Sequence, residues 1–135
     1  MNPDQVNWLA VIAATLSGFV LGGLWYSQLV FGKVWMKVAE MTDEKVKSAN
    51  MVKTYGIAFI FMLIAAVNLG FFLASPEIHA AEGALYGFLT GFGWMFMGIG
   101  VIALFEQKSW SYIFINGFYW VVTMTVMGVI IGAWK

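Results

Sequence analysis

The chain has no cysteine, one histidine and little charge, with seven basic and seven acidic side chains among 135 residues. Each shortage removes a class of function. Without cysteine there is no disulfide, no thiolate metal site and no thiol nucleophile. Equal numbers of acids and bases argue against nucleic acid as a partner, because phosphate binding needs a concentrated basic surface. An ordinary soluble domain is roughly 25% charged, whereas this chain is 10% charged and 61% hydrophobic. No Ser-His-Asp order, phosphate loop or dinucleotide fingerprint occurs, so no enzyme class, metal or cofactor is expected.

The charge that is present avoids four windows, residues 5–32, 54–76, 83–105 and 109–134, which are 28, 23, 23 and 26 residues long. A helix rises about 1.5 Å per residue and a bilayer core is about 30 Å thick, so roughly 20 apolar residues span it. The expected fold is therefore an all-α integral membrane protein. Residues 1–135 are expected to form a single domain of four transmembrane helices in an antiparallel bundle, with spans near 7–30, 54–75, 83–105 and 109–133. The start, Met1-Asn2-Pro3-Asp4, lacks a basic region, and the first apolar run is longer than that of a cleavable signal, so the first segment is expected to be retained.

Where the charges went predicts the orientation. Lys33, Lys37, Lys45, Lys47 and Lys53 lie between the first two windows and Lys108 between the last two, while the other side has Lys135 alone. Lysine on short loops marks the cytoplasmic side, which places both termini outside the cytoplasm. Aromatic residues agree with that arrangement: Trp8 and Trp134 fall near the outer boundary, and Trp25, Tyr26, Tyr55, Trp110 and Tyr112 near the inner one.

Within the first connection, Phe31, Val34, Trp35, Val38 and Met41 recur at helical spacing with Lys33, Lys37 and Glu40 between them. This pattern predicts an amphipathic interfacial helix between the first two spans, its lysines meeting anionic lipid at about 1 kcal/mol each. Thr42 followed by Asp43 and Glu44 has the form of a second helix start, with a hydroxyl cap and acids in the first turn; a solvated linker is the alternative.

Glycine dominates the spans. Gly18 and Gly22 in the first, Gly83, Gly87 and Gly91 in the third, and Gly128 and Gly132 in the fourth are spaced by four. Small residues at that spacing let helix backbones approach closely in lipid, either inside one bundle or along a seam between copies. Gly91, Gly93, Gly98 and Gly100 put small residues on more than one face of the third span.

No charge is expected inside a span, which disfavours proton-coupled transport. The embedded polar side chains are Ser17, Asn68, Thr90, Asn116, Thr123 and Thr125. Asn68 sits about 21 Å from the start of its span and Asn116 about 10 Å from the start of its own, both counted from the cytoplasmic face, so the two amides should not bond each other. Each is expected to make an interhelical hydrogen bond worth about 0.6–2 kcal/mol; lining an uncharged pore is the alternative. Tyr119, with Trp94 and Trp120, is an aromatic at mid-depth, expected in the core or at a lipid-facing groove. Glu106, at the end of the third span, is the carboxylate nearest to burial and is expected to pair with Lys108 or a lysine of the amphipathic helix, or to cap the fourth span, with a functional role as the alternative. His79 stands near Glu77 and Glu82 in a short outer loop, with a spacing that matches no metal motif.

As a set these residues are familiar. Asn2-Pro3-Asp4, Asn7-Trp8-Leu9-Ala10-Val11, Gly22-Gly23-Leu24-Trp25-Tyr26-Ser27 and Phe31-Gly32-Lys33 resemble the start of a bacterial family of small membrane proteins known as domain of unknown function 1761. Leu104-Phe105-Glu106, Gly117-Phe118-Tyr119 and the closing run from Met127 to Trp134 resemble its end. The resemblance implies a four-helix inner-membrane protein and brings no activity, ligand or catalytic residue. The function expected from the residues themselves is that of a self-associating scaffold or accessory membrane subunit, with lipid and a second copy or a larger membrane complex as partners. A small oligomeric channel or transporter for a neutral or weakly polar solute is the alternative.

Overall fold

The computed structural model describes residues 2–135, and every regular element among them is helical. A 3-10 turn, Pro3–Gln5, leads into α1 (Trp8–Trp25), α2 (Gly32–Val38), α3 (Asp43–Ser48), α4 (Met51–Phe72) and α5 (Ala80–Thr90). A π-helical segment, Gly91–Phe96, then joins α5 to α6 (Met97–Phe105), and α7 (Trp110–Ala133) closes the chain. Four helices, Trp8–Trp25, Met51–Phe72, Ala80–Phe105 and Trp110–Ala133, are long and apolar enough to cross a membrane.

Polar side chains set the helix starts by taking up backbone N–H groups that have no partner inside the first turn. Asn7 accepts from the N–H of Leu9 and Ala10, Thr42 from that of Lys45, Asn50 from Lys53 and Ser109 from Tyr112. Thr42 thus starts a helix, and residues 43–48 are not a linker. Asn50 also explains why α4 begins before residue 54: its cap draws Lys53 into the first turn, where the charge-free window had stopped. At the other end α1 stops at Trp25, short of residue 30. The chain doubles back there, Gly32 N–H donating to the Ser27 carbonyl at 2.8 Å, and a Cβ at Gly32 would stand 2.6 Å from the Tyr26 carbonyl oxygen.

Two helix ends take the left-handed conformation without glycine: Glu40 and Gln107 both have φ of 57°. Each carries the bonds of a Schellman end. Met41 N–H reaches the Met36 carbonyl and Lys108 N–H the Ala103 carbonyl, at 2.8 and 2.9 Å. None of the glycines has positive φ. The glycines of the helix seams therefore serve close approach and not a left-handed turn.

Helix α7 is the centre of the assembly. It packs on α5, the π segment and α6 along one side and on α1 along another, while α4 packs on α1 and touches α7 only lightly. The spatial order is α4, α1, α7, α5, with no extended contact between α4 and α5. Half of α7's apolar window is buried, against 17% for Ala80–Phe105. The main core joins Val11, Ala14, Met62, Leu69, Met127 and Ile131, and a second cluster joins Phe96, Ala103, Ile113 and Val121. Outside these, large apolar side chains such as Val20, Phe61, Phe105 and Trp110 are exposed along every long helix. Soluble monomers rarely show contiguous apolar patches beyond a few hundred Å², and lipid is the solvent that suits this surface.

Contacts at the two ends gather the loops. Asn7 Nδ2 donates to the Trp134 carbonyl, the Lys135 ammonium to that of Leu73, and Gly132 lies against His79, so both ends of the chain and the loop before α5 share one end of the molecule. Burial holds the Lys135 ammonium below the usual lysine range. At the opposite end, where α2 packs on α7, Trp25 Nε1 donates to the Ile115 carbonyl at 2.9 Å.

Candidate functional site

The glycines divide into two kinds of contact. Along α5 and α7 backbone meets backbone. A Cβ at Gly83 would fall on the Gly128 carbonyl, one at Gly128 on the Gly83 carbonyl, one at Gly87 on the Met124 carbonyl, and one at Gly132 on that of His79. Gly91 continues the seam, its Cβ position 2.8 Å from Val121 Cα. Position numbers rise on α5 as they fall on α7. Gly83 and Gly128 each turn a Cα hydrogen toward the other's carbonyl oxygen, the geometry of paired weak Cα–H···O bonds.

Gly18 and Gly22 instead make room for side chains. Met62 Sδ lies 2.8 Å from the Cβ position of Gly18, and the Tyr119 hydroxyl 3.1 Å from that of Gly22. That hydroxyl donates to the Gly18 carbonyl at 2.8 Å. One turn away the Tyr26 hydroxyl donates to Asn116 Oδ1 at 2.7 Å, and Asn116 Nδ2 donates back to the Tyr112 carbonyl. The rings of Tyr26 and Tyr119 meet edge to face at 5.3 Å, and Trp35 of α2 packs on Tyr26 at 5.5 Å. Asn116 and Tyr119 are thus brought into one polar and aromatic cluster at the junction of α1, α2 and α7. A half-open cavity of about 350 Å³ lies beside it between α1 and α4, bounded by Gly22, Gly23, Tyr26, Tyr55, Met62 and Tyr119. Thr123, one turn beyond Tyr119, is fully buried, and its hydroxyl has no partner among the described residues.

Asn68 stands apart from this cluster. It is exposed, and its Nδ2 donates to the carbonyl of Ile64 in its own helix at 2.8 Å. The interhelical bond expected of both amides is made by Asn116 only. The reason is the missing α4–α5 contact: Asn68 lines an open groove of about 370 Å³ between α4 and the third long helix, opposite Thr90 and Trp94. Thr90 also turns its hydroxyl back to its own helix, to the carbonyls of Tyr86 and Gly87. The groove continues as a second hollow of about 360 Å³ toward Ile78 and Leu89.

Glu106 is exposed at the end of α6, so it is not near burial. Its expected partner is turned elsewhere: the Lys108 ammonium lies over the Tyr112 ring, 5.6 Å from its centre. Ser109, not Glu106, caps α7. His79 precedes α5, where its backbone N–H donates to Glu82 at 3.0 Å; among the described residues no three His, Cys, Asp or Glu side chains converge on a metal position. Lys33 and Lys37 are exposed on α2 beside half-buried Trp35.

Three features were not foreseen. The π segment interrupts the third long helix and turns Phe96 into the space above Gly117, whose Cβ position is 2.7 Å from the ring's Cε2. Its only signal was the closely spaced pair Gly91 and Gly93, read as packing residues. Gly70 receives Val11 in the same way, 2.9 Å from its Cβ position. Gly23, Gly56, Gly93 and Gly98 meet nothing within 4 Å, which neighbouring glycines in the sequence did not separate from their packed counterparts.

No curated protein and no solved structure matches the chain. One family does, described as a protein of unknown function (DUF1761), and its model matches residues 9–132, nearly the whole length. The chain belongs to that DUF1761 family.

Proposed function

We propose that the protein is a non-enzymatic, self-associating inner-membrane scaffold or accessory subunit that acts through helix–helix and lipid contacts, and that a second copy occupies the groove between α4 and α5. One observation carries the reading: the bundle is left open at Asn68, whose amide uses one N–H on Ile64 while facing the groove. A polar group exposed to hydrocarbon is costly unless it is paired. A primary amide holds both donors and acceptors, so two Asn68 side chains across a two-fold axis satisfy each other, as an isologous contact requires. Gly93 and Gly98, on the same long helix as Thr90 and Trp94, have open space where a neighbouring helix would sit.

The finer architecture belongs to this proposal: an antiparallel bundle, α2 lying at the membrane interface through Trp35 with Lys33 and Lys37 toward the headgroups, and both termini outside the cytoplasm. The packing of α2 on α7 supports it, because it puts the lysine-rich connection at the same end as the Lys108 hairpin. Pore lining gains no support, since Asn68 lines the α4–α5 groove whereas Asn116 is bonded to Tyr26 at the junction of α1 and α7.

The test is oligomeric state in lipid nanodiscs, read by mass photometry. Wild type is expected as dimers or larger, and Asn68→Leu as monomers that keep their helical content. Wild type that is strictly monomeric in native lipid and captures no partner under mild crosslinking overturns the proposal.

A further inference from the structure

A second hollow lies far from the Asn68 groove, at the lysine-rich end. The cavity beside Tyr119 shares Tyr26, Thr54 and Tyr55 with a cavity of about 380 Å³ roofed by α2 and α3. It shares Thr54 and Ala58 with a third, of about 520 Å³, lined by Asn50 and Lys53. All three meet at Thr54. The three neighbouring hollows are amphipathic as a set: Phe19, Gly22, Gly23, Ala58 and Met62 bound the inner one, while hydroxyls, an amide and a lysine bound the outer ones. Neither Thr54 nor Tyr55 spends its hydroxyl on a hydrogen bond with the described residues, and both are exposed.

The charge near the mouth has a sign. From residue 32 to 53 there are five lysines against Glu40, Asp43 and Glu44, a balance of +2. Lys53 and Thr54 line the same outer hollow, which gives a group held there access to both the ammonium and the hydroxyl. The inner cavity owes its space in part to Gly23, where a Cβ would meet nothing within 4 Å.

We propose that this cleft binds one anionic phospholipid, its phosphate at Thr54 and Lys53 and an acyl chain in the hollow beside Gly23. The volume of the inner part falls in the range of small-molecule sites, about 300–1,000 Å³. An acyl chain suits its walls, and a negatively charged headgroup suits its rim. The inference rests on membrane insertion and not on self-association, and masses of intact protein report the two separately: subunit number reads one, bound lipid per subunit the other.

Native mass spectrometry of the full chain, released from micelles after exposure to equal amounts of phosphatidylglycerol and phosphatidylcholine, tests it. Wild type is expected to retain phosphatidylglycerol about fivefold over phosphatidylcholine, the preference that one lysine near a membrane surface supplies. Lys53→Gln should bring that ratio close to one, and Gly23→Leu should remove retention of both lipids by filling the hollow, with its melting temperature confirming the fold. If Gly23→Leu does not fold, Ala58→Leu fills the same cavity from α4. Equal retention of the two lipids by wild type, or undiminished phosphatidylglycerol on a folded cavity-filled variant, overturns the inference.

Discussion

Replacing Gly128 by alanine separates the packing account from simple hydrophobicity, because alanine is also small, apolar and a better helix former than glycine. The new methyl group would fall on the Gly83 carbonyl oxygen, 2.8 Å from that residue's carbonyl carbon and 3.3 Å from Gly87 Cα. Carbon atoms pack best at about 3.5 Å, so the carbon–carbon pair alone would part α5 and α7 by about 0.7 Å, and the closer carbonyl oxygen demands more. Overpacking typically costs about 1–3 kcal/mol when side chains can yield. Here the opposing atoms are backbone and cannot rotate away, which puts Gly128→Ala near 3 kcal/mol at the upper end of that range. Gly117→Ala meets the buried Phe96 ring, a side chain that can shift where backbone cannot, and should cost less than Gly128→Ala, about 1–2 kcal/mol. Gly98→Ala meets nothing and should lie within about 0.5 kcal/mol of wild type. Unfolding in mixed micelles of increasing dodecyl sulfate content, followed by circular dichroism, gives the three values. Gly128→Ala unfolding with wild type, or Gly98→Ala proving as damaging as Gly128→Ala, would refute the reasoning.

Other substitutions probe separate parts of the fold by the same unfolding assay. Tyr119→Phe removes the hydroxyl that donates to the Gly18 carbonyl and should lower stability by about 0.6–2 kcal/mol. Tyr26→Phe and Asn116→Ala should each cost a similar amount, and their double-mutant cycle should show a coupling of about 0.6–1.7 kcal/mol, as embedded hydrogen bonds do. No coupling would mean that the Tyr26–Asn116 bond contributes nothing in lipid. Gln107→Gly relieves a left-handed residue that glycine adopts freely, for a gain of about 1 kcal/mol; a loss would show that the Gln107 side chain has contacts outweighing its backbone strain.

The spans were legible because burying charge in hydrocarbon is so costly that its absence writes the four segments into the sequence directly. Helix starts at Thr42, Asn50 and Ser109 follow from local side-chain chemistry, yet only Thr42 was read that way; at Asn50 the nearby Lys53 hid a cap that extends α4 by a turn. The spacing by four marked Gly83, Gly87, Gly128 and Gly132 but not their partners. Whether a glycine faces backbone, a side chain or nothing depends on which helices are neighbours, and the order α4, α1, α7, α5 is a tertiary property with no local signal. That order is also why Asn68 lies in a groove while Asn116 finds Tyr26. Glu106 misled because closeness to a span in sequence was equated with burial, whereas the left-handed turn at Gln107 ends the helix with the carboxylate outside.

Self-association through the α4–α5 groove is the central claim, and the lack of native cysteine makes it open to direct measurement, since any disulfide-linked dimer must come from an introduced thiol. Phe72→Cys and Leu89→Cys place thiols at exposed positions that line the groove, and Leu16→Cys and Val20→Cys place them on the exposed face of α1. Disulfides form only where Cα atoms come within about 7 Å. Oxidation in native membranes should yield covalent dimers of the groove variants and not of the α1 variants, and adding Asn68→Leu should abolish them. Dimers formed equally from both faces, or from neither, would contradict the account.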